Sequence, residues 1–556
     1  MATETPTNVL YYGDNLEILR RYLPDESVDL VYLDPPFNSN RDYNVIFKDE
    51  SGRRSDAQLV AFEDTWHWGP DAESTYEYLA NTARHEGRVP DNVSTIIAAL
   101  RHGIGANQMM AYLVEMAARL VELRRVLKPT GSLYLHCDPT ASHYLKVVLD
   151  AIFGPERFVS EIVWQRTMAK GLVTRALPTN HDVLLCYGRS ESATWNLDSA
   201  LVSYDPEDLD AKTEQKYSLR DAGGRRYQLT SLLNPNPERP NLTYEFLGVT
   251  RVWRWTKQRM EAAHAAGLVV QTKPGAVPRF KRFLDEQRGK SIGDVWTDIP
   301  PLNSQARERL GYPTQKPVAL LERVIAMSSN PGDVVLDPFC GCGTALVAAE
   351  KLGRKWVGID ITYLSIAVMK ARLKDTFGLD DVDVIGQPTE VEGARQLAVD
   401  HESRYQFQWW ALGLIDAKPI GGVEKKGADK GIDGKITFTD EGGQLEQVLV
   451  SVKSGHVNAS QIRDLKGTIE REKAAIGVFI TLEEPTRNMR EEAATAGAWH
   501  SNVWNEDYAR IQILSIRELL EEHRRPHLPS FVHAPYQTAV RVQPVAAEQP
   551  TLFGEH

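Results

Sequence analysis

Residues 333–353, DVVLDPFCGCGTALVAAEKLG, constrain this chain more than any other stretch. An apolar run ends in Asp337, passes through a turn holding Gly341 and Gly343, and enters a run of helix-forming residues. Glycine, lacking a Cβ, lets the backbone turn tightly and come close to a ligand. A second apolar run, WVGIDI, ends in Asp360. An acid at the tip of the second strand, about 20 residues past such a turn, is placed to grip ribose hydroxyls. The pattern predicts a βαβ unit and a nucleoside-containing cofactor, either a dinucleotide or S-adenosylmethionine.

The rest of the chain extends that alternation. VLYYG, NLEILRRYL and VDLVYLD read strand, helix, strand; residues 107–127 have helical apolar spacing, and GSLYLHCD, EIVWQR and HDVLLCYG read as strands. Strands alternating with helices predict a largely parallel sheet covered on both faces. At 556 residues the chain needs several cores. The expected division is 1–194, an inserted irregular region at 195–305, a return to α/β at 306–390, a C-terminal α/β unit at 397–525 and a flexible tail at 526–556. No apolar run is long enough to span a bilayer, the start lacks a secretion signal, and four cysteines suit a reducing compartment, so a cytoplasmic protein is expected.

The net charge of −11 argues mildly against a nucleic-acid binder, but a total hides local fields. Residues 251–290 carry ten Lys/Arg against three acids, with Trp253, Trp255, Phe280 and Phe283 among them. Basic residues interleaved with aromatics suit phosphate contact and base stacking. Arg251, Trp253, Arg254, Trp255, Lys281 and Arg282 are the candidate nucleic-acid contacts; a solvated basic surface is the plainer reading.

A second motif stands early in the chain, where LVYLDPPF places Asp34, Pro35, Pro36 and Phe37 at the end of an apolar run. Proline has no N–H to continue a strand ladder, so the strand stops there. Asp-Pro-Pro-Phe followed much later by Asp-Pro-Phe-x-Gly-x-Gly-Thr resembles the amino-group DNA methyltransferases. The order, with the catalytic motif first, resembles their circularly permuted beta class, which includes the modification subunits of type III restriction systems. The resemblance covers roughly residues 8–390. It implies a Rossmann-like α/β fold, S-adenosylmethionine as cofactor, and transfer to an exocyclic amine of a base in double-stranded DNA. It also implies cofactor contacts at Asp14, Lys316, Asp337, Phe339, Gly341, Gly343, Thr344 and Asp360, with Thr314, Gln315 and Lys316 near the methionine end. Region 195–305 would be the target-recognition segment.

The chemistry fits such residues. An exocyclic amine is a poor nucleophile because its lone pair is delocalised into the ring. Acceptors from the Asp34 carboxylate and the Pro35 carbonyl favour the form that attacks, and proline pre-positions them. Phe37 would stack on the extruded base. In the family that the chain resembles, an acid before Pro-Pro is commoner among N6-adenine enzymes, so the resemblance implies N6 of adenine, with N4 of cytosine next. Carbon-5 methylation would need a Pro-Cys nucleophile, and none of Cys137, Cys186, Cys340 and Cys342 follows proline. A non-catalytic DNA-binding protein and an RNA methyltransferase are the alternatives.

The C-terminal unit, KKGADKGIDGKITF followed by VLVSVKSG, resembles the Mrr-like branch of the PD-(D/E)xK nucleases over about residues 403–500. Asp433 and Lys453 match the metal-binding acid and the lysine, and Asp433 would hold Mg²⁺. Ser451 stands where Glu or Gln is expected, and serine is a weak metal ligand; Glu446 is the substitute to consider. Two readings follow, a fused nuclease or a DNA-binding module that has lost cleavage. Finally, Gln549-Pro-Thr-Leu-Phe553 resembles the peptides that dock on the bacterial sliding clamp, and the methyltransferase class implies a homodimer.

Overall fold

The computed structural model describes residues 7–36, 43–48, 54–62, 66–168, 177–202, 204–205, 209–303, 306–310, 312, 314–399, 404–420, 432–440 and 445–529. Phe37 and the Gln549–Phe553 peptide lie outside the described residues. The chain divides into two compact units, Met1–Trp195 with Asp294–His556, and Asn196–Gly293.

The larger unit is built on a nine-stranded sheet. In chain order its strands are β1 (Val9–Tyr12), β2 (Val28–Leu33), β3 (Leu127–Cys137), β4 (Phe158–Gln165), β5 (His181–Gly188), β6 (Val295–Trp296), β7 (Val334–Asp337), β8 (Lys355–Asp360) and β9 (Val384–Ile385). Their order across the sheet is β6-β4-β5-β3-β2-β7-β8-β1-β9. Every neighbouring pair is parallel except those of β5, which runs against both β3 and β4. Strand β2 is buried at all six positions, as a central strand covered on both faces must be. Asp29 survives there because its carboxylate accepts from the Val334 amide at 2.9 Å and pairs with Lys128 at 2.7 Å.

Strands β2 and β7 lie side by side, so their carboxyl ends bring together Asp34, just past β2, and Asp337, the last residue of β7. Helix α1 (Asn15–Tyr22) starts at the same edge, where the Asp14 side chain caps it by accepting from the Leu16 and Glu17 amides. Helix α2 (Gln108–Val126) covers the sheet with an almost wholly buried face. Helices α3 (Pro139–Phe153), α4 (Val318–Ser328), α5 (Thr344–Lys351) and α6 (Tyr363–Phe377) complete the layers.

The C-terminal residues form a five-stranded sheet: β10 (Lys418–Pro419), β11 (Gly434–Thr439), β12 (Leu445–Lys453), β13 (Ile476–Thr481) and β14 (Ile511–Ser515), in that order. The first three are antiparallel and the last three parallel. Helix α7 (Arg404–Gly413) ties this sheet to the part built on the nine-stranded sheet: Phe407, Trp410 and Leu412 share one buried cluster with Tyr312, Cys342, Tyr363 and Leu364. A Cβ on Gly413 would stand 2.4 Å from the Tyr363 ring, so glycine is what permits this contact. The C-terminal part therefore shares a core with the cofactor-loop side instead of hanging from a linker.

The smaller unit centres on antiparallel strands Arg226–Ser231 and Arg279–Phe283, with Trp253 in its core. Among the described residues no helix is long and apolar enough to cross a membrane.

Candidate active site

A cavity of about 240 Å³ opens at the carboxyl ends of β2, β7 and β8. Its wall includes Asp14, Asp34, Pro36, Lys316, Asp337, Phe339, Gly341, Thr344 and Asp360. Ligand sites in parallel α/β sheets lie at this edge because loops converge there and helix N-termini point in.

The turn between β7 and α5 is held from several sides. Gly343 has a φ of 73°, and a Cβ on it would come 2.8 Å from Met369 Cγ. Gly341 has a φ of 52° and packs under the Tyr312 ring. The Gly341 amide donates to Asp360 Oδ2 at 2.9 Å, which joins the turn to the tip of β8. Arg372, buried on α6, donates to the Cys342 carbonyl at 2.9 Å and the Thr344 hydroxyl at 3.1 Å. Asn15 donates from the start of α1 to the Pro338 carbonyl at 2.8 Å. Cys340 and Cys342 are buried, free and part of the packing, and no metal-binding cluster exists among the described residues. Burial raises both thiols, which keeps them protonated.

Four carboxylates line the cavity, those of Asp14, Asp34, Asp337 and Asp360. Burial pushes the Asp337 carboxyl well above the usual range, and the neighbouring charges of Asp34 and Asp360 push the same way. Burial also raises Asp360, against the hydrogen bonds it accepts from Thr362 and Gly341. Such a buried acidic wall suits a cationic ligand carrying ribose hydroxyls. The Asp34 carboxylate is met by the Lys316 ammonium. Gln315 also lines the cavity, and its side-chain amide donates to the Glu308 carbonyl and accepts from the Leu310 amide, closing its own loop. Thr314 lines the cavity.

Several residues of this wall carry no motif. Arg119 on α2 binds Asn15 Oδ1 at 2.6 Å and Asp14 Oδ2 at 2.7 Å, fixing the start of α1 beside the turn. Its one sequence signal is an arginine within a strongly apolar helical stretch. Tyr32, Trp66, Ile361 and Thr362 also line the cavity.

The nucleic-acid candidates fare unequally. Trp253 is wholly buried and its indole N–H donates to the Tyr244 carbonyl, so it packs the smaller unit's core and cannot stack on a base. Trp255 is half-buried, with the Phe280 ring at 5.0 Å and the Arg259 guanidinium over it at 4.4 Å. Arg251, Arg254 and Arg282 are exposed, although Arg254 donates to the Leu233 carbonyl and Arg282 to Gln287. Lys281 lies 5.3 Å over the Tyr227 ring.

In the C-terminal sheet Asp433, Ser451 and Lys453 do come together. Asp433 Oδ2 accepts from the Val452 amide at 2.6 Å and from Ser451 at 3.3 Å, with Lys453 at 3.5 Å; Gln408 reaches Oδ1 at 3.4 Å. Protein donors thus occupy the carboxylate that would hold a metal. Glu446 cannot replace the missing ligand. It pairs with Phe438 toward the far end of β12, and its odd spacing from Ser451 puts it on the opposite face.

Comparison with known proteins agrees with this geometry. The profile of the N6/N4 DNA methylases matches residues 28–368. Residues 420–521 match a family described as a NACHT-associated inactive restriction endonuclease. The type II methyltransferase M.EcaI of Enterobacter cloacae is 32% identical over 254 residues, 45% of this chain and 54% of that one. The Mod subunit of the type III enzyme StyLTI of Salmonella typhimurium is 24% identical over 369 residues, 63% of this chain and 50% of that one. The DNA adenine methyltransferase YhdJ of Escherichia coli is 40% identical over 95 residues, 17% of this chain and 32% of that one. The chain spans about half the length of the first two of these relatives. With well over half of its length matched by the one profile, the chain belongs to the N6/N4 DNA methylase family.

Proposed function

We propose that this protein methylates the exocyclic amine of a base flipped out of double-stranded DNA, with N6 of adenine favoured over N4 of cytosine, as one arm of a host-defence or restriction–modification system. One observation carries the reading: Asp34, Asp337 and Asp360 open into a single cavity at the carboxyl edge of the sheet. S-adenosylmethionine, when bound, supplies a methyl group on a positively charged sulfur. Asp337 and Asp360 would hold its cationic and ribose parts, and Gly341 and Gly343 leave room for it. Asp34 accepts a hydrogen bond from the target amine and keeps the lone pair on nitrogen available for attack. Lys316 holds that carboxylate in place until the base arrives. The beta-class, permuted arrangement is supported by chain order, since the Asp34 motif precedes the Asp337 turn yet lies beside it in the sheet.

For the C-terminal sheet we favour a nuclease-like fold that binds DNA without cutting it, because Asp433 is occupied by protein donors and Ser451 stands in the second ligand position. The Mrr-like branch is the one its hairpin-and-lysine order suggests.

Transfer of tritiated methyl from S-adenosylmethionine to duplex DNA tests the reading. Incorporation by the parent protein that is lost in Asp34→Ala supports it; equal incorporation by both rules out Asp34 as the catalytic acid.

A further inference from the structure

Behind Asp34 lies a polar chain that neither the motifs nor the proposed mechanism uses. Tyr32 stands two residues before Asp34 and on the same face of the strand, and it lines the cavity. Its hydroxyl lies 2.9 Å from His136 Nδ1, and His136 Nε2 lies 3.1 Å from Asp182 Oδ2. Arg166 then pairs with Asp182 Oδ1 at 3.0 Å. His136 is fully buried and Asp182 is 1% exposed, with the Trp164 ring edge-on to the imidazole. The three residues come from β2, β3 and β5, so the sheet order alone assembles them.

Their chemistry gives the chain a direction. Burial opposes ionisation of Asp182, but the His136 hydrogen bond and the charges of His136, Lys316 and Arg166 outweigh it and hold the carboxyl below its usual range. An ionised Asp182 accepts from the Nε2–H, leaving Nδ1 to accept from the Tyr32 hydroxyl. The Tyr32 oxygen then keeps lone pairs to accept a second hydrogen. Burial keeps the phenol protonated, with Asp34, Asp337 and Asp182 reinforcing that, so Tyr32 can pass a proton on but not act as a phenolate. A buried chain of charged groups is costly and adds little to stability against an apolar alternative, which points to use.

We propose that Tyr32, His136 and Asp182 form a relay that removes the proton shed by the methylated amine. The inference rests on the methyltransferase reading above. After transfer the target nitrogen is cationic. Its N–H bond breaks, the electron pair stays on nitrogen, and the proton goes to the Tyr32 oxygen while the hydroxyl proton of Tyr32 moves to His136 Nδ1. The result is an imidazolium facing the Asp182 carboxylate. Asp34, already met by the Lys316 ammonium, is left to orient the amine. The charges acting on the two ends of the chain are Asp34, Asp337 and Asp182 on Tyr32, and Lys316, Arg166 and Asp138 on Asp182.

The test uses the full chain with S-adenosylmethionine and duplex DNA in single-turnover mode. Tyr32→Phe should lower the rate about 10²-fold while cofactor affinity, measured by calorimetry, stays within about twofold. His136→Gln should lower the rate to a similar extent, again with cofactor affinity within about twofold. Independently of activity, the ¹⁵N imidazole signal that disappears in His136→Gln should report hydrogen on Nε2 and none on Nδ1. An unchanged rate in Tyr32→Phe or in His136→Gln, or a ring protonated at Nδ1, overturns the relay. A parent protein that methylates nothing overturns the functional reading instead, and the imidazole signal still decides the relay's geometry.

Discussion

The ammonium of Lys316 donates to the carboxylate of Asp34, joining residues 282 positions apart in the chain. One belongs to the end of β2 and the other to the loop before α4, and both line the cavity. The pair fixes the orientation of the Asp34 carboxylate at the cavity wall.

Asp34→Asn should therefore lower single-turnover methylation by at least about 10²-fold, because an amide presents a donor as well as an acceptor to the amine. Lys316→Met should lower it by about 10-fold through misplacement of the acid. The double variant should be no slower than Asp34→Asn alone, since contacting residues do not add. Fully additive losses would show that the lysine works elsewhere.

Asp337 gives a pH prediction. Its carboxyl is raised in the folded protein, so the folded state binds its proton more tightly than the unfolded one. Stability from this group is complete below the ordinary value of 3.8 and is lost as pH rises toward the folded value. Asp337→Asn should then be more stable than the parent without cofactor, by a margin that widens from pH 4 toward neutrality. Thermal unfolding across that range checks the sign; a margin that shrinks with pH contradicts it.

Gly343 combines a φ of 73° with a Cβ position 2.8 Å from Met369. Gly343→Ala should cost about 1–3 kcal/mol in stability and weaken S-adenosylmethionine binding, both measurable by calorimetry. Arg372→Met should weaken binding too, because it frees the Cys342 carbonyl and the Thr344 hydroxyl from their shared donor.

The C-terminal sheet should leave supercoiled plasmid intact in magnesium, while Lys453→Ala or Asp433→Asn weakens duplex binding by the full chain. Metal-dependent nicking that Asp433→Asn abolishes would show that the carboxylate exchanges its protein donors for a cation.

Asp34, Asp337 and Asp360 were readable in the sequence because each closes an apolar strand run, and strand tips in a parallel sheet share one edge. Their partners were not. Arg119 meets Asp14 and Asn15 only because α2 crosses the start of α1, and Tyr32, His136 and Asp182 meet only because β3 separates β2 from β5 in the sheet. Such neighbours depend on strand order, which spacing along the chain does not encode. Trp253 misled for a related reason: basic and aromatic residues mark both a binding surface and a small core, and burial alone separates them. The union of α7 with the cofactor-loop side was hidden in the same way, since an apolar helix start reads alike whether it covers its own sheet or a neighbouring one.

The most direct measurement is mass spectrometry of nucleosides from unmethylated duplex DNA of broad sequence, incubated with the protein and S-adenosylmethionine without magnesium. The account predicts N6-methyladenine, absent when Asp34 is replaced. N4-methylcytosine would keep the chemistry and overturn the choice of base; no methylated base at all would contradict the account.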